Sequence, residues 1–226
     1  MIKDFILLGA ITSRTLTYIN ILKTNNLLPK YFILYGPNKK LKLYKKIEST
    51  FKNLIFIKTN NVNSKILFNK IIDIPSSLTI FSGYPSEIID SSILNIKNKV
   101  FLHSHSGKLP FYKGSTTIYY SLLNIKKIYC STIIMSDKID DGKILCIKEY
   151  PIPNNLILIE SEYDNKIRIE NIIYTLTNYH NLIKKNKSTK LKNHINHYYY
   201  IAHPAIRSIA IEKYNRNKKR PLLTAF

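Results

Sequence analysis

Cysteine is scarce in this sequence, which has only Cys130 and Cys146 among its 226 residues. The two do not form a Cys-x-x-Cys pair, so the sequence argues against a structural zinc site. Both lie in apolar runs typical of β-strands, where a buried free thiol is the usual state of a cysteine. We therefore expect two free thiols and no bound metal.

Long apolar runs are also absent. No run reaches the eighteen or so residues that a helix needs to cross a bilayer. The apolar run at residues 6–11 is too short for the core of a signal peptide and continues as the start of a strand. From these two absences we expect a cytoplasmic protein without membrane contact.

Acidic residues are few: 14 Asp and Glu stand against 35 Lys and Arg, giving a net charge of +21. Such a charge usually indicates a nucleic acid or an anionic surface as partner. However, 30 of the cations are lysines, and they accompany 39 isoleucines and 23 asparagines, the bias that an AT-rich genome produces in every protein. We therefore do not expect nucleic-acid binding, although the excess charge would still attract an anionic substrate.

The first forty residues show the alternation of a parallel sheet. A buried strand at 4–9 precedes a helical pattern at 13–24, with Ser13 as the expected N-cap, and a second strand at 31–35. This β-α-β order predicts a right-handed crossover. No Gly-x-Gly-x-x-Gly follows the first strand, which excludes the usual dinucleotide motif. Further strands are predicted at 54–57, 77–82, 100–102, 129–135 and 144–150, and helices at 39–52, 64–72, 116–123 and 160–185.

Two histidines follow the strand at residue 100 directly. On an extended chain His103 and His105 share one face, so both imidazoles would point the same way. Gly107 and Pro110 then end the strand. The carboxyl end of a strand is where α/β sheets usually place their chemistry. The spacing alone also fits two ordinary polar residues or two metal ligands.

Residues 103–114, HSHSGKLPFYKG, resemble the formyltransferase signature Asn-x-His-Pro-Ser-x-Leu-Pro-x-Tyr-Arg-Gly. The family's second element, Asp-x-Gly, is matched about thirty-five residues on by Asp140-Asp141-Gly142. A third piece, Phe81-Ser82-Gly83-Tyr84, resembles the strand-end loop that lies against the folate in that family. The resemblance covers about residues 1–150, and its three pieces are specific only when taken together.

The resemblance implies an α/β fold with a mainly parallel, twisted sheet of the Rossmann-like formyltransferase type and a short C-terminal appendage. We expect a catalytic domain at 1–153 and a helical, basic extension at 154–226 packed on it. The tail is too short for the second, barrel-like domain of methionyl-tRNA formyltransferases. Whether the chain forms a homodimer is left open.

The resemblance further implies that a formyl group passes from 10-formyltetrahydrofolate to the amine of a small molecule. The preferred acceptor is a nucleotide-linked amino sugar, because stand-alone catalytic domains with short additions often act on such compounds in the family. The glycine-rich turn with which glycinamide ribonucleotide formyltransferases hold phosphate is missing, and residues 10–13 read AITS instead.

Site roles follow from the same resemblance. His105 would donate a hydrogen bond to the oxyanion of the tetrahedral intermediate. Asp140 would orient His105 and accept the amine's proton through water. The segment 81–84, which comprises Phe81, Ser82, Gly83 and Tyr84, would contact the pterin together with Asp137.

One position departs from the signature, since His103 replaces the usual asparagine. A branch of the family with His-x-His resembles this chain better than the best-studied members do. An imidazole changes its donors with protonation, so we expect activity to depend on pH between 5 and 8 more sharply than in an asparagine enzyme. The substitution leaves two alternatives open: altered chemistry on another one-carbon or acyl donor, and a non-catalytic, basic RNA-binding protein that keeps the fold.

The tail carries a His-x-x-His pair, His194 and His197, followed by the tyrosine cluster 198–200. No third ligand is evident beside the two histidines, so we expect no metal there. The tyrosines could stack on bases or pack on the domain.

Overall fold

The computed structural model describes residues 1–39, 41–51, 54–185 and 197–219, with side chains up to residue 215 in the last range. Its strands are β1 (Ile6–Ala10), β2 (Tyr31–Gly36), β3 (Leu54–Lys58), β4 (Leu78–Ser82), β5 (Val100–His105), β6 (Lys113–Gly114), β7 (Ile128–Ile134), β8 (Lys143–Tyr150) and β9 (Tyr198–Tyr199). Seven of them form a central sheet in the order β3-β2-β1-β4-β5-β7-β8. Strands β6 and β9 form a separate parallel pair.

The central sheet is mixed but mainly parallel. Strands β1 to β5 run in one direction, whereas β7 pairs antiparallel with β5 and β8 pairs antiparallel with β7. The predicted α/β architecture is confirmed, and each predicted strand is present within one or two residues of its expected bounds, apart from the strand at 100, which continues through His105.

The helices are α1 (Ser13–Thr24), α2 (Lys42–Thr50), α3 (Lys65–Asp73), α4 (Ser91–Leu94), α5 (Thr117–Ile125), α6 (Asp164–Lys185) and α7 (Pro204–Lys219), and a π-helical turn (Ile159–Tyr163) precedes α6. The expected N-cap of α1 was wrong by one residue. Thr12, not Ser13, caps the helix, because its extended backbone lets the hydroxyl accept a hydrogen bond from the Thr15 N–H at 3.2 Å.

The sheet is covered on both faces, as the unbroken apolar runs of β1 and β2 require. On one face Leu7 packs in a core with side chains of α1, α2 and α6. On the other face Ile6 and Leu8 pack with side chains of α3 and α4. A third cluster joins α5 and α7 to the ends of β7 and β8 and includes Cys130. Both cysteines are free and buried, as predicted.

Helix α6 lies beyond residue 153, where the catalytic domain was expected to end. Its side chains Ile169, Ile172 and Leu176 are fully buried in the same core as Leu7. The division at 153 stays a prediction, but α6 is part of the core that supports the sheet.

Within the described residues no helix is long and apolar enough to cross a membrane. The same part of the chain contains no group of three or more side chains arranged to hold a metal ion. His194, the first member of the His-x-x-His pair, lies outside it.

Candidate functional site

A cavity of about 660 Å³ opens at the carboxyl ends of β4 and β5. The strand ends contribute Phe81, His103 and His105 to its lining. The loop after β7 contributes Asp137 and Asp140, and further parts of the wall come from α1, from the loops after β4 and β6, and from residues that follow β8. Strands β4 and β5 are parallel and end at the same edge of the sheet, which is why Phe81 meets the two histidines there.

His105 is almost entirely buried, with 3% exposure, and both of its ring nitrogens face acceptors. Nδ1 lies 3.3 Å from Asp140 Oδ2, and Nε2 lies 2.6 Å from the carbonyl oxygen of Tyr112. A neutral imidazole carries one hydrogen and can donate to only one of the two; the imidazolium donates to both. The pairing of His105 with Asp140 is the arrangement that the resemblance implied.

Asp140 joins the two sequence motifs. Its Oδ2 accepts a hydrogen bond from the Gly114 N–H at 2.8 Å, in addition to facing His105. Burial alone would raise the pKa of Asp140. The nearby His105 and the hydrogen bond from the Gly114 N–H lower it by more, so the pKa lies below its usual value. The neighbouring Asp141 pairs with the buried Lys113, which ties the same two loops together a second time.

Glycine at position 107 lets the chain turn around the His105 ring. A Cβ at Gly107 would lie 2.6 Å from both His105 Nε2 and the Tyr112 carbonyl oxygen, closer than side-chain carbons approach. The hydrogen bond between this ring nitrogen and this carbonyl therefore depends on the absence of a side chain at Gly107.

His103 lines the same cavity, so both imidazoles face it, as predicted. Its Nδ1 lies 3.4 Å from the carbonyl oxygen of Phe81. A carbonyl oxygen only accepts, so Nδ1 carries the hydrogen and Nε2 presents a lone pair. No described group forms a hydrogen bond with Nε2.

The charge state of His103 differs from the one that the sequence suggested. Burial, together with the positive charges of Arg168 and Arg14, lowers the pKa of His103 to about 3. The ring is therefore neutral at physiological pH, and the prediction of a His103-dependent switch between pH 5 and 8 is wrong. Sequence reasoning could not see the two arginines, which lie on other elements.

Residues 81–84 do not all reach the cavity. Phe81, Gly83 and Tyr84 line it, as does Asp137. Ser82 is fully buried and is not among the lining residues, because its hydroxyl lies 3.0 Å from that of Thr15 on α1. Contact between this segment and a folate stays a prediction.

The loop that follows β4 is held by an acidic residue that sequence reasoning missed. Glu87 accepts hydrogen bonds from the Tyr84 N–H at 2.9 Å and the Val62 N–H at 3.0 Å, and from the Tyr35 hydroxyl. Three elements thus converge on one carboxylate, which shapes the wall beside Tyr84.

Three arginines line the cavity and were also missed: Arg14 on α1, Arg168 on α6 and Arg207 on α7. Arg168 pairs with Asp164 at 2.7 Å, and Arg207 pairs with Glu160. The sequence has only five arginines among 35 cations, and the other two lie where the structure describes no side chains. The rarity of arginine in this lysine-rich sequence was therefore the signal that could have identified these three residues as candidates.

The C-terminal segment closes one side of the cavity. Strand β9 pairs with β6, and the Tyr199 carbonyl accepts a hydrogen bond from the Ser115 N–H at 2.8 Å. The Tyr199 ring stacks on that of Tyr112, with centroids 5.4 Å apart. Tyr200 also lines the cavity but is 85% exposed. The tyrosine cluster thus packs on the domain at Tyr199 and offers a free aromatic face at Tyr200.

Comparisons with known proteins agree with the signature. No family model matches the chain. A methionyl-tRNA formyltransferase from Buchnera aphidicola is 32% identical over 101 residues, which are 44% of this chain and 32% of that protein. The chain therefore spans about a third of the length of the curated relatives it matches.

Solved structures extend the likeness over the whole chain. A sugar N-formyltransferase from Shewanella aligns with 100% of this chain and 84% of its own length, with a TM-score of 0.56 and 19% identity. The phosphoribosylglycinamide formyltransferase from Bacillus halodurans aligns with 84% of this chain and 100% of its own length, with a TM-score of 0.58 and 14% identity. The resemblance to formyltransferases is confirmed in sequence over about 100 residues, and the fold is the one that these enzymes share.

Proposed function

We propose that the chain is an N-formyltransferase that moves a formyl group from 10-formyltetrahydrofolate to the amine of a small molecule. The observation that carries the proposal is the meeting of His103, His105 and Asp140 in one cavity of a formyltransferase fold. The cavity, about 660 Å³, has the size of a typical ligand pocket.

The donor fits the wall formed by Phe81, Gly83 and Tyr84. This segment ends a parallel strand, and the backbone there can hydrogen-bond a flat heterocycle as a peptide edge does. Glu87 fixes the Tyr84 N–H, so the wall keeps its shape before the donor arrives. Asp137 also lines the cavity, in the loop that carries Asp140.

Formyl transfer forms a bond between the amine nitrogen and the formyl carbon and breaks the bond between that carbon and N10 of the folate. The amine loses a proton, and N10 gains one. Negative charge develops on the formyl oxygen in between, and a positioned donor stabilises it. We assign this donation to His105, whose Nε2 would exchange the Tyr112 carbonyl for the formyl oxygen, while Asp140 balances the imidazolium charge.

His103 takes a different role from the asparagine of the signature. Its Nε2 lone pair faces the cavity, so the ring can only accept a hydrogen bond there. The amide of an asparagine could accept one or donate one. We propose that it accepts an N–H of the incoming amine and so orients the nitrogen lone pair toward the formyl carbon. Since His103 is a weak base, Asp140 with a water molecule remains the final proton acceptor.

For the acceptor we propose a nucleotide-linked amino sugar. Arg14 lies in the cavity and, among the described residues, forms no ion pair with a carboxylate; its Nε donates to the Asn165 Oδ1 at 3.3 Å. Burial lowers the pKa of Arg14, and an anionic group of the substrate would offset that cost. The exposed ring of Tyr200 is suited to stacking on a planar base.

The test has two steps. First, a hydrolytically stable analogue of 10-formyltetrahydrofolate is titrated into the wild-type chain and into Asp73→Asn, which alters an exposed carboxylate on α3. Both should bind with micromolar affinity. Second, nucleotide-linked amino sugars, glycinamide ribonucleotide and methionyl-tRNA are offered as acceptors.

Amine-dependent loss of the formyl donor with a sugar nucleotide supports the proposal. Turnover with methionyl-tRNA alone would reject the acceptor but keep the reaction. No binding of the analogue by the folded protein, together with salt-sensitive RNA binding, would reject the reaction itself.

A further inference from the structure

An ion pair is buried at the first turn of α6. Arg168 Nε lies 2.7 Å from Asp164 Oδ2, and the two side chains are only 13% and 8% exposed. Removing two charges from water costs free energy that their attraction does not always return, so such a pair is weak evidence for stability. The other contacts of Arg168 indicate a role for this pair besides stability.

Arg168 reaches the strand that carries both histidines. Its Nη1 donates a hydrogen bond to the carbonyl of Ser104, the residue between His103 and His105. The pairing of β4 with β5 ends at Leu102, so residues 103–105 have only β7 as a strand neighbour. Arg168 thus forms a hydrogen bond with the backbone of β5 at residues that no longer pair with β4.

Arg168 also sets the electrical surroundings of His103. The charged and titratable groups that act on this ring are Arg168 from α6, Arg14 from α1, Asp140 from the loop after β7, and His105 from its own strand. The two arginines disfavour the imidazolium and Asp140 favours it; Arg168 has the largest effect of these four.

We infer that Arg168 is a positioning residue for the proposed formyl transfer: it fixes the backbone between the two histidines through the Ser104 carbonyl and places its positive charge in the cavity that His103 faces. Asp164 holds the guanidinium in place for both tasks. The inference rests on the proposed function, but its first consequence concerns the free protein and can be measured without folate or amine.

The experiment follows the imidazole signals of the histidines by NMR from pH 8 to 5, with His103→Asn used to assign His103. In the wild type the His103 signal should not move. In Arg168→Met the signal should begin to shift at a higher pH than in the wild type, because the positive charge with the largest effect on the ring is gone. In Arg168→Lys, which keeps a charge, the signal should again stay still.

The kinetic readout separates positioning from binding. Arg168→Met should lower kcat about 10-fold or more and leave the KM for the donor within about twofold, since the hydrogen bonds of Arg168 go to Ser104 and Asp164 and not to the wall at 81–84. Lys166→Met is the matched control, because it removes an exposed cation that pairs with Glu170 on the same helix. It should change neither the NMR titration nor kcat.

Arg168→Met leaves the buried Asp164 without its ion-pair partner and can fail to fold. The double variant Asp164→Leu with Arg168→Met replaces both charges by apolar side chains and avoids this problem. A folded double variant whose His103 signal behaves as in the wild type, with unchanged kcat, would overturn the inference. If the wild type transfers no formyl group at all, the proposed function fails, and the NMR titration alone still decides whether Arg168 controls His103.

Discussion

His103 and His105 stand two residues apart on one strand and face one cavity, yet their surroundings are opposite. His103 lies among the cations Arg168 and Arg14, and its only described hydrogen-bond partner is a backbone carbonyl. His105 has a carboxylate on one side and a carbonyl on the other. The same residue type on the same face is thus a neutral acceptor at one position and a ring that lies between two acceptors at the other. Elements distant in sequence determine the difference.

The largest effect should come from removing the carboxylate on the His105 side. Asp140→Asn keeps the shape but loses the negative charge beside Nδ1, and an amide can present its NH₂ there instead. We expect kcat to fall about 10²–10⁴-fold, the usual contribution of a positioned acid–base group. Steady-state kinetics with the donor analogue as a binding control measures this. A loss below tenfold would mean that the pair of His105 and Asp140 has no part in the reaction.

A smaller effect should follow on the other side. His103→Asn restores the residue of the signature, which can still accept through its Oδ1, so kcat should fall roughly 10-fold, below the full contribution of an acid–base group. Because the pKa of His103 is about 3, the wild type and the variant should show the same pH dependence of kcat/KM from pH 5 to 8. An inflection in this range that disappears in His103→Asn would show that the ring titrates there and that His103 is not a purely neutral acceptor.

A third effect concerns stability in mild acid and not the rate. The unfolded chain protonates His103 below about pH 6.5, whereas the folded protein does so only near pH 3. The unfolded state therefore binds more protons in this window, and the free energy of unfolding falls as pH is lowered through it, by on the order of 1 kcal/mol per unit. The lowered pKa of Asp140 contributes only below about pH 4.

Urea unfolding at pH 7 and pH 4.5 checks this prediction. The loss of stability on acidification should be smaller in His103→Gln than in the wild type. His180→Gln, which changes an exposed histidine on α6, should behave as the wild type does. Equal losses in all three proteins would contradict the assigned state of His103.

The strands of the sheet and the signature loop could be predicted because their cause is local. Runs such as residues 31–35 are apolar throughout, and only a strand covered on both faces accommodates them. The partnership of His105 and Asp140 was also predictable, since both belong to motifs with a fixed spacing.

The charge state of His103 could not be predicted, because it depends on Arg14 and Arg168, which lie 89 residues before it and 65 residues after it in the sequence. Short strand β9 and helix α7 were missed for a related reason. Their positions follow from contacts with β6 and α5, such as the hydrogen bond from the Ala202 N–H to Thr116 Oγ1 at 2.7 Å, and not from their own apolar pattern.

The pairing of β9 with β6 has a consequence for the order in which the cavity is assembled. A ribosome makes Phe81–Tyr84 and both histidines long before it reaches Tyr198. The aromatic wall is added only after residues 197–207 have been made and have paired with the segment that follows β5. The two walls of the cavity therefore come from parts of the chain that leave the ribosome at different times.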